Sequence, residues 1–263
     1  MISDILNTQT DFIPCILLAA LLALTCFTPQ LVFASSINQG HLEISGEYGL
    51  TYVSSNNEIL KVTPIETDTL HPTNNTFTGI AGFGLGYVIP LYTESNGMNW
   101  FPYLKPAVNL RYFEQDLTGQ VYQFQDPEFY NYNYDISVSS TRLMLDLVLT
   151  LFKYHRFSSY VLGGCGESWN QINYSDQAVP GVSGGTLNLS NKNNYKFISE
   201  VGGGISYDMN KQLNFSLEYL YSNLRTNETS ATGTLNGSPV AITPIKVPVI
   251  SQSVQFVFTW KVA

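Results

Sequence analysis

From residue 41 onwards apolar and polar residues alternate, segment after segment. Leu42, Ile44, Tyr48, Leu50 and Tyr52 alternate with Glu43, Ser45, Glu47 and Thr51. The same period carries Phe77, Phe83, Leu85 and Tyr87, then Leu104, Val108, Leu110 and Tyr112. It returns in Leu143, Leu145, Leu147, Leu149 and Leu151, and in Phe197, Val201, Ile205 and Tyr207. It closes with Leu213, Phe215, Leu217, Tyr219 and Tyr221, and with Val254, Phe256, Phe258 and Trp260. A helix repeats every 3.6 residues, so this period specifies strands with two unlike faces. Between Phe157 and Trp169 the chain is rich in glycine and its phase is open. The pattern predicts eight strands of about 10–15 residues, an all-β chain.

Such strands are longer than the five or six residues usual in soluble sheets, and suit tilted membrane strands of about 9–11 residues with extensions. The connections favour the membrane. Short ones at 92–99, 153–156 and 208–212 alternate with long polar ones at 54–75, 114–135, 173–194 and 226–246. All long loops therefore leave one end of the sheet, as in membrane barrels with short turns at one rim and long loops at the other. Aromatics gather at both ends. Trp100, Phe101, Tyr103, Phe152, Tyr154, Phe157, Tyr207 and Trp260 mark the turn end; Tyr52, Phe77, Tyr112, Phe113, Phe197, Tyr219 and Tyr221 mark the loop end. Two aromatic belts are what two lipid–water interfaces select. A soluble barrel with its apolar faces inside needs a charged exterior, and only 12% of these residues are charged, about half the usual share. The net charge of −8 excludes a nucleic-acid surface.

Ahead of the strands, residues 15–24 form an uninterrupted apolar run, the length of a signal-peptide core and too short to span a bilayer. Val32-Phe33-Ala34 sets small residues at the −3 and −1 positions of a cleavage site. The expected division is a signal peptide at 1–34 and a barrel at 35–263. Residues 1–12 hold Asp4 and Asp11 but no Lys or Arg, against the positive start such peptides have; an upstream start codon accounts for that, and an uncleaved membrane anchor is the alternative. Cleavage at Ala34 leaves Cys165 as the single thiol, so no intrachain disulfide is expected.

The opening strand 41–53, the glycine-alternating 77–89, Leu217-Glu218-Tyr219 and the closing 253–261 together resemble the small eight-stranded outer-membrane barrels of the OmpA, OmpX and opacity-protein kind. The resemblance covers about residues 40–263 and implies an up-and-down antiparallel transmembrane barrel, folded by the barrel-assembly machinery, monomeric, and surrounded by outer-membrane lipid and lipopolysaccharide. Family members end on an outward aromatic, whereas here Trp260 is followed by Lys261-Val262-Ala263. Eight-stranded barrels of this kind include lipid A-modifying enzymes, so an active site needs testing. Hydrolysis requires a nucleophile with a base in reach. His41, His71 and His155 fall at a strand start, in a long loop and in a short turn, none beside an obvious Ser and acid. No catalytic set, metal site or cofactor is expected.

Two groups of residues remain as candidates. By the alternation, Glu43, Glu47, Asp146, Glu200 and Glu218 face inward, with Lys105, Arg111, Arg142 and Lys196. An eight-stranded lumen is just wide enough to be filled by side chains, and buried charges must pair. The expectation is a salt-bridged plug; the alternative is a narrow gated ion pore. The second group lies in the 114–135 loop, which has five acids and no Lys or Arg. There Tyr122, Phe124, Asp126, Glu128, Phe129, Tyr130, Tyr132 and Tyr134 form a candidate contact surface, since Tyr offers large area at low entropic cost. The alternative for 130–134 is a strand pair rising above the membrane without a ligand. The functional expectation is a non-enzymatic outer-membrane barrel serving envelope integrity or surface interaction, such as adhesion to a host or matrix ligand.

Overall fold

The computed structural model describes residues 40–54, 58–61, 67–74, 77–91 and 98–262. The signal-peptide segment 1–34 and most of the 92–99 turn lie outside the described residues. Eight long strands form the barrel: β1 (His41–Ser54), β2 (Phe77–Pro90), β3 (Tyr103–Tyr122), β4 (Tyr130–Tyr154), β5 (Phe157–Ala178), β6 (Lys192–Asp208), β7 (Leu213–Glu228) and β8 (Lys246–Val262). Each pairs antiparallel with the next, and β8 closes on β1 from Leu42↔Val262 to Ser54↔Ile250. Closure pairs the backbone within the sheet and leaves no edge, which is what lipid demands.

Around the turn-end half the apolar residues point outward, as the alternation predicts. Leu42, Ile44, Leu50, Phe83, Leu85, Leu110, Leu145, Val201, Ile205, Leu217 and Phe256 are all exposed on the outer wall. A surface of that kind is stable only against lipid. In β5, Val161 is exposed while Leu162 is buried, so the odd-numbered residues face out. Its glycines have a different use. A Cβ on Gly164 would collide with the Asp146 carboxylate, and one on Gly84 with Asn109 and Ser45. These inward glycines leave room for the polar side chains that fill the lumen.

The loop-end half departs from the expectation. β3, β4 and β5 contain 20, 25 and 22 residues, about twice what crosses a bilayer. The segment 114–135 is not a loop: pairing continues without a change of phase through Asp116↔Ser137 and Gln120↔Asn133, leaving only 123–129 as the turn. What changes is polarity. Beyond Phe113 most inward side chains are apolar or aromatic: Leu117 and Val121 on β3, Ile136 and Val138 on β4, and Ile172 and Tyr174 on β5, with Gln115 and Asp176 buried among them. The outward ones are Glu114, Asp116, Ser137, Asp135, Asn173 and Ser175. Phe113, expected in the aromatic belt, is wholly buried inside.

Shorter strands complete this upper storey. A hairpin of Glu58–Lys61 and Thr67–Asn74 joins β3 through Leu70↔Val121. On the other side Leu187–Leu189 meets β5 and carries Thr232–Leu235, which pairs with Ser238–Ala241. Together they enclose a core of Val53, Leu60, Leu70, Leu224, Ile245 and Val249 with the strand residues above. The barrel therefore carries an apolar-filled cap.

Candidate functional site

The inward charges meet at mid-barrel, where β1, β3, β4 and β6 each contribute one side chain. Arg111 sits at the centre. Its Nε donates to Glu47 Oε2 at 2.6 Å, its Nη2 reaches Asp146 Oδ2 at 3.2 Å, and its Nη1 binds Glu200. Asn109 donates to the same Asp146 oxygen, and Ser222 donates to Glu200 Oε2 at 3.1 Å. Glu218 is held beside them by Tyr160 and Gln255, each at 2.9 Å. A guanidinium carries five donors in a planar fork, so one arginine can tie three strands to its own.

The other expected members divide. Glu43 forms a separate pair with Lys105 at 3.1 Å, joined by His41 at 3.2 Å. Among the described residues Lys196 pairs with none of these groups. Arg142 is 0% exposed and stacks over the Phe113 ring at 5.3 Å, and none of its guanidinium nitrogens has a hydrogen-bond partner among the described residues. The expected balance of five acids against four bases is thus not the balance of the central cluster. Among the described residues, four carboxyls (Glu47, Asp146, Glu200, Glu218) share the mid-barrel with two arginines, Arg111 and Arg142.

Below the network a polar cavity of about 130 Å³ runs toward the turn-end rim, lined by Arg111, Asp146, Glu218, Lys105, Asp208 and Lys261 among others. At that rim Asp208 accepts from Lys153 on β4 and Lys261 on β8, each at 2.7 Å, and from Asn214 on β7 at 3.0 Å. Lysine hydrogen bonds hold its carboxyl down at about 2 against the opposing effect of burial. Lys261, close to the chain end, thereby clamps the closing strand to its neighbours. Above the network the lumen is occupied by Val53, Phe113, Val138, Ile172, Leu224 and Val249, all wholly buried or nearly so.

The cap contains acids of its own. Asp176 accepts from the Leu187 amide at 2.7 Å and from the Tyr174 hydroxyl at 3.1 Å, yet burial still pushes it up to about 6. Burial likewise raises Glu58 to about 7. The Tyr134 and Tyr174 hydroxyls are pushed up by burial too, and their rings stack at 6.3 Å.

Of the eight expected contact residues, the structure turns two away from solvent. Tyr134 is 3% exposed and belongs to the cap core, and Tyr132 packs against it, because the alternation that aims Asn133 outward aims both tyrosines in. The other six cluster at the tip. Phe124 and Phe129 are 63% and 49% exposed, with rings edge to face at 6.3 Å; Tyr122 and Tyr130 form a second such pair at 6.4 Å. His71, on the hairpin strand beside β3, stacks on Tyr122 at 5.5 Å. Asp126 caps the turn, accepting from the Glu128 amide at 3.0 Å. Phe124 and Gln125 hold φ of 54° and 62°, and the Phe124 amide donates to the buried Asp68 at 3.1 Å. His41, His71 and His155 stand far apart in these roles, and among the described residues no group of His, Cys, Asp and Glu is placed to hold a metal.

No protein-family model and no curated protein matches the sequence. Solved structures do resemble it. The outer membrane protein OprG from Pseudomonas aeruginosa aligns at 15% identity and a TM-score of 0.43, over 84% of this chain and 98% of its own. AlkL in lipid bilayers aligns at 17% and 0.40, over 85% and 92%. Neisserial surface protein A aligns at 12% and 0.39, over 84% and 97%. The fold, by its own strand pairing and outer wall, is that of an outer-membrane β-barrel.

Proposed function

We propose that this chain is a non-enzymatic barrel of the bacterial outer membrane, with a closed lumen, that acts through its outer surface in envelope integrity or surface interaction. The observation that carries the reading is the apolar filling of the loop-end lumen. Phe113, Val138, Ile172 and Leu224 occupy the path that an ion entering from the loop end would take. Dehydrating an ion among such side chains costs many kcal/mol. The loop end faces outward from the cell in this reading, and the turn end faces the periplasm.

The rival is a narrow ion pore past Glu47, Arg142, Asp146 and Glu218. The cavity below Arg111 favours it, since a polar vestibule already reaches halfway. The pore requires the cap core to separate, which the closed barrel does not. Planar-bilayer recording of the purified protein distinguishes them: the closed reading predicts a silent membrane. Stable single-channel steps that change on Arg142→Ala would establish the pore instead. A lipid A-modifying activity finds no support in the placement of the three histidines.

A further inference from the structure

The turn between β3 and β4 combines three properties that a merely solvated loop does not need together. It exposes two phenylalanine rings, at 63% and 49%. Leaving such rings in water forgoes the burial that usually holds a phenylalanine in place. It holds them on a backbone where Phe124 and Gln125 both take left-handed conformations, which bulky residues rarely adopt. Finally, the turn is tied down. Asp68 accepts from the Phe124 amide at 3.1 Å, Asn131 donates to Gln123, and the Phe129 amide donates to the Asp126 carbonyl at 3.0 Å. The rings are therefore preorganised, and a partner that covers them orders little.

Lipid is not that partner. The last outward aromatic of the belt on β3 is Tyr112, and the tip begins ten residues later at Tyr122. At about 3.3 Å per residue and a tilt of about 40°, the tip stands roughly 25 Å beyond the belt. Its electrostatics choose a sign. Asp126 and Glu128 flank the rings, and Glu114, Asp116 and Asp135 lie on the outer faces of the strands below. No Lys or Arg occurs anywhere from 114 to 135. Aromatic faces bordered by carboxylates attract guanidinium and ammonium groups on apolar stems.

We infer that this tip is a docking surface for a cationic protein segment that carries apolar side chains, with the Phe124–Phe129 pair as its apolar anchor and Asp126 and Glu128 as its charge contacts. This deepens the surface-interaction reading and rests on it. The test uses the whole barrel in lipid nanodiscs and three synthetic peptides of equal length: one of Arg and Leu, one of Arg and Ser, one of Glu and Leu. The Arg/Leu peptide should bind at least tenfold more tightly than either other. Phe124→Ser with Phe129→Ser should remove most of that preference, and Asp126→Asn with Glu128→Gln should weaken binding and flatten its salt dependence. Phe124→Gly, which accepts the left-handed backbone, guards against an effect of strain, and the gel shift between boiled and unboiled protein checks folding. Equal binding of the Arg/Ser peptide, or Arg/Leu binding indifferent to both pairs of substitutions, would overturn the inference. A silent barrel that binds none of the peptides sinks this inference and leaves the closed-barrel reading standing, whereas a conducting barrel sinks that reading whatever the peptides do.

Discussion

Strands β3, β4 and β5 pass through two regions with opposite interiors. On the turn-end side of Phe113, at mid-barrel, Arg111, Asp146 and Asn109 point inward and Leu110, Leu143 and Leu145 point outward. Beyond Phe113 the same strands, in the same phase, turn Leu117, Ile136 and Ile172 inward and Asp116, Ser137 and Asn173 outward. The β3–β4 register holds from Leu104 to Val121 and the β4–β5 register from Tyr132 to Thr150, through both regions. The surroundings differ: lipid tolerates no outward charge, and water rewards burying the apolar face. One strand can thus be a membrane strand and a soluble strand end to end, and a closed cap follows without a new fold.

Like substitutions in the two regions should therefore have unlike effects. The largest effect should come from the polar interior. Arg111→Ala leaves Glu47, Asp146 and Glu200 buried without their shared cation and should cost about 3–5 kcal/mol in urea unfolding from lipid vesicles. A near-neutral result would mean that the network is hydrated. Next comes one outward residue from each region. Leu217→Arg, against lipid, should cost about 2–4 kcal/mol, while Thr118→Arg, beside Asp135 on the cap wall, should stay within about 0.5 kcal/mol. Equal costs would erase the boundary between the two regions.

The smallest effect is a pH dependence of opposite sign at the two ends. Asp208 at the rim titrates near 2, below the ordinary carboxyl value of about 4, so its contribution is present above pH 4 and is lost as pH falls toward 2. Asp176 and Glu58 in the cap titrate at about 6 and about 7, above the unfolded values, so their ionisation opposes folding. Stability should therefore rise as pH falls from about 7 to about 4, then decline. Asp176→Asn should flatten the upper window and Asp208→Asn the lower one, read from urea midpoints across that range.

The outward faces of seven strands were legible because leucine and aromatic alternation is strong where lipid selects it. The phase of β5 was not: Gly163, Gly164 and Gly166 carry no side chain to mark a face, and only the pairing with β4 settles it. The cap was hidden by its inversion. Expecting apolar residues outside, a reader of the sequence sees Glu114 to Asp135 as a polar loop, although Phe113, Leu117 and Val121 keep the even spacing. Tyr132 and Tyr134 fell on the wrong side for the same reason. The inward charges were legible one by one, but not their partners. Which carboxylates reach Arg111 depends on register across β1, β4 and β6, which leaves Lys196 outside the cluster and Arg142 over a ring.

Spin labels placed singly along β3 test the inversion most directly. Position 110 should be relaxed by oxygen dissolved in lipid, and positions 118 and 120 by a water-soluble nickel complex. Positions 117 and 121, packed within the cap, should be shielded from both. If nickel reached 117 and 121 as freely as 118 and 120, the upper strands would be open loops and the cap would not exist.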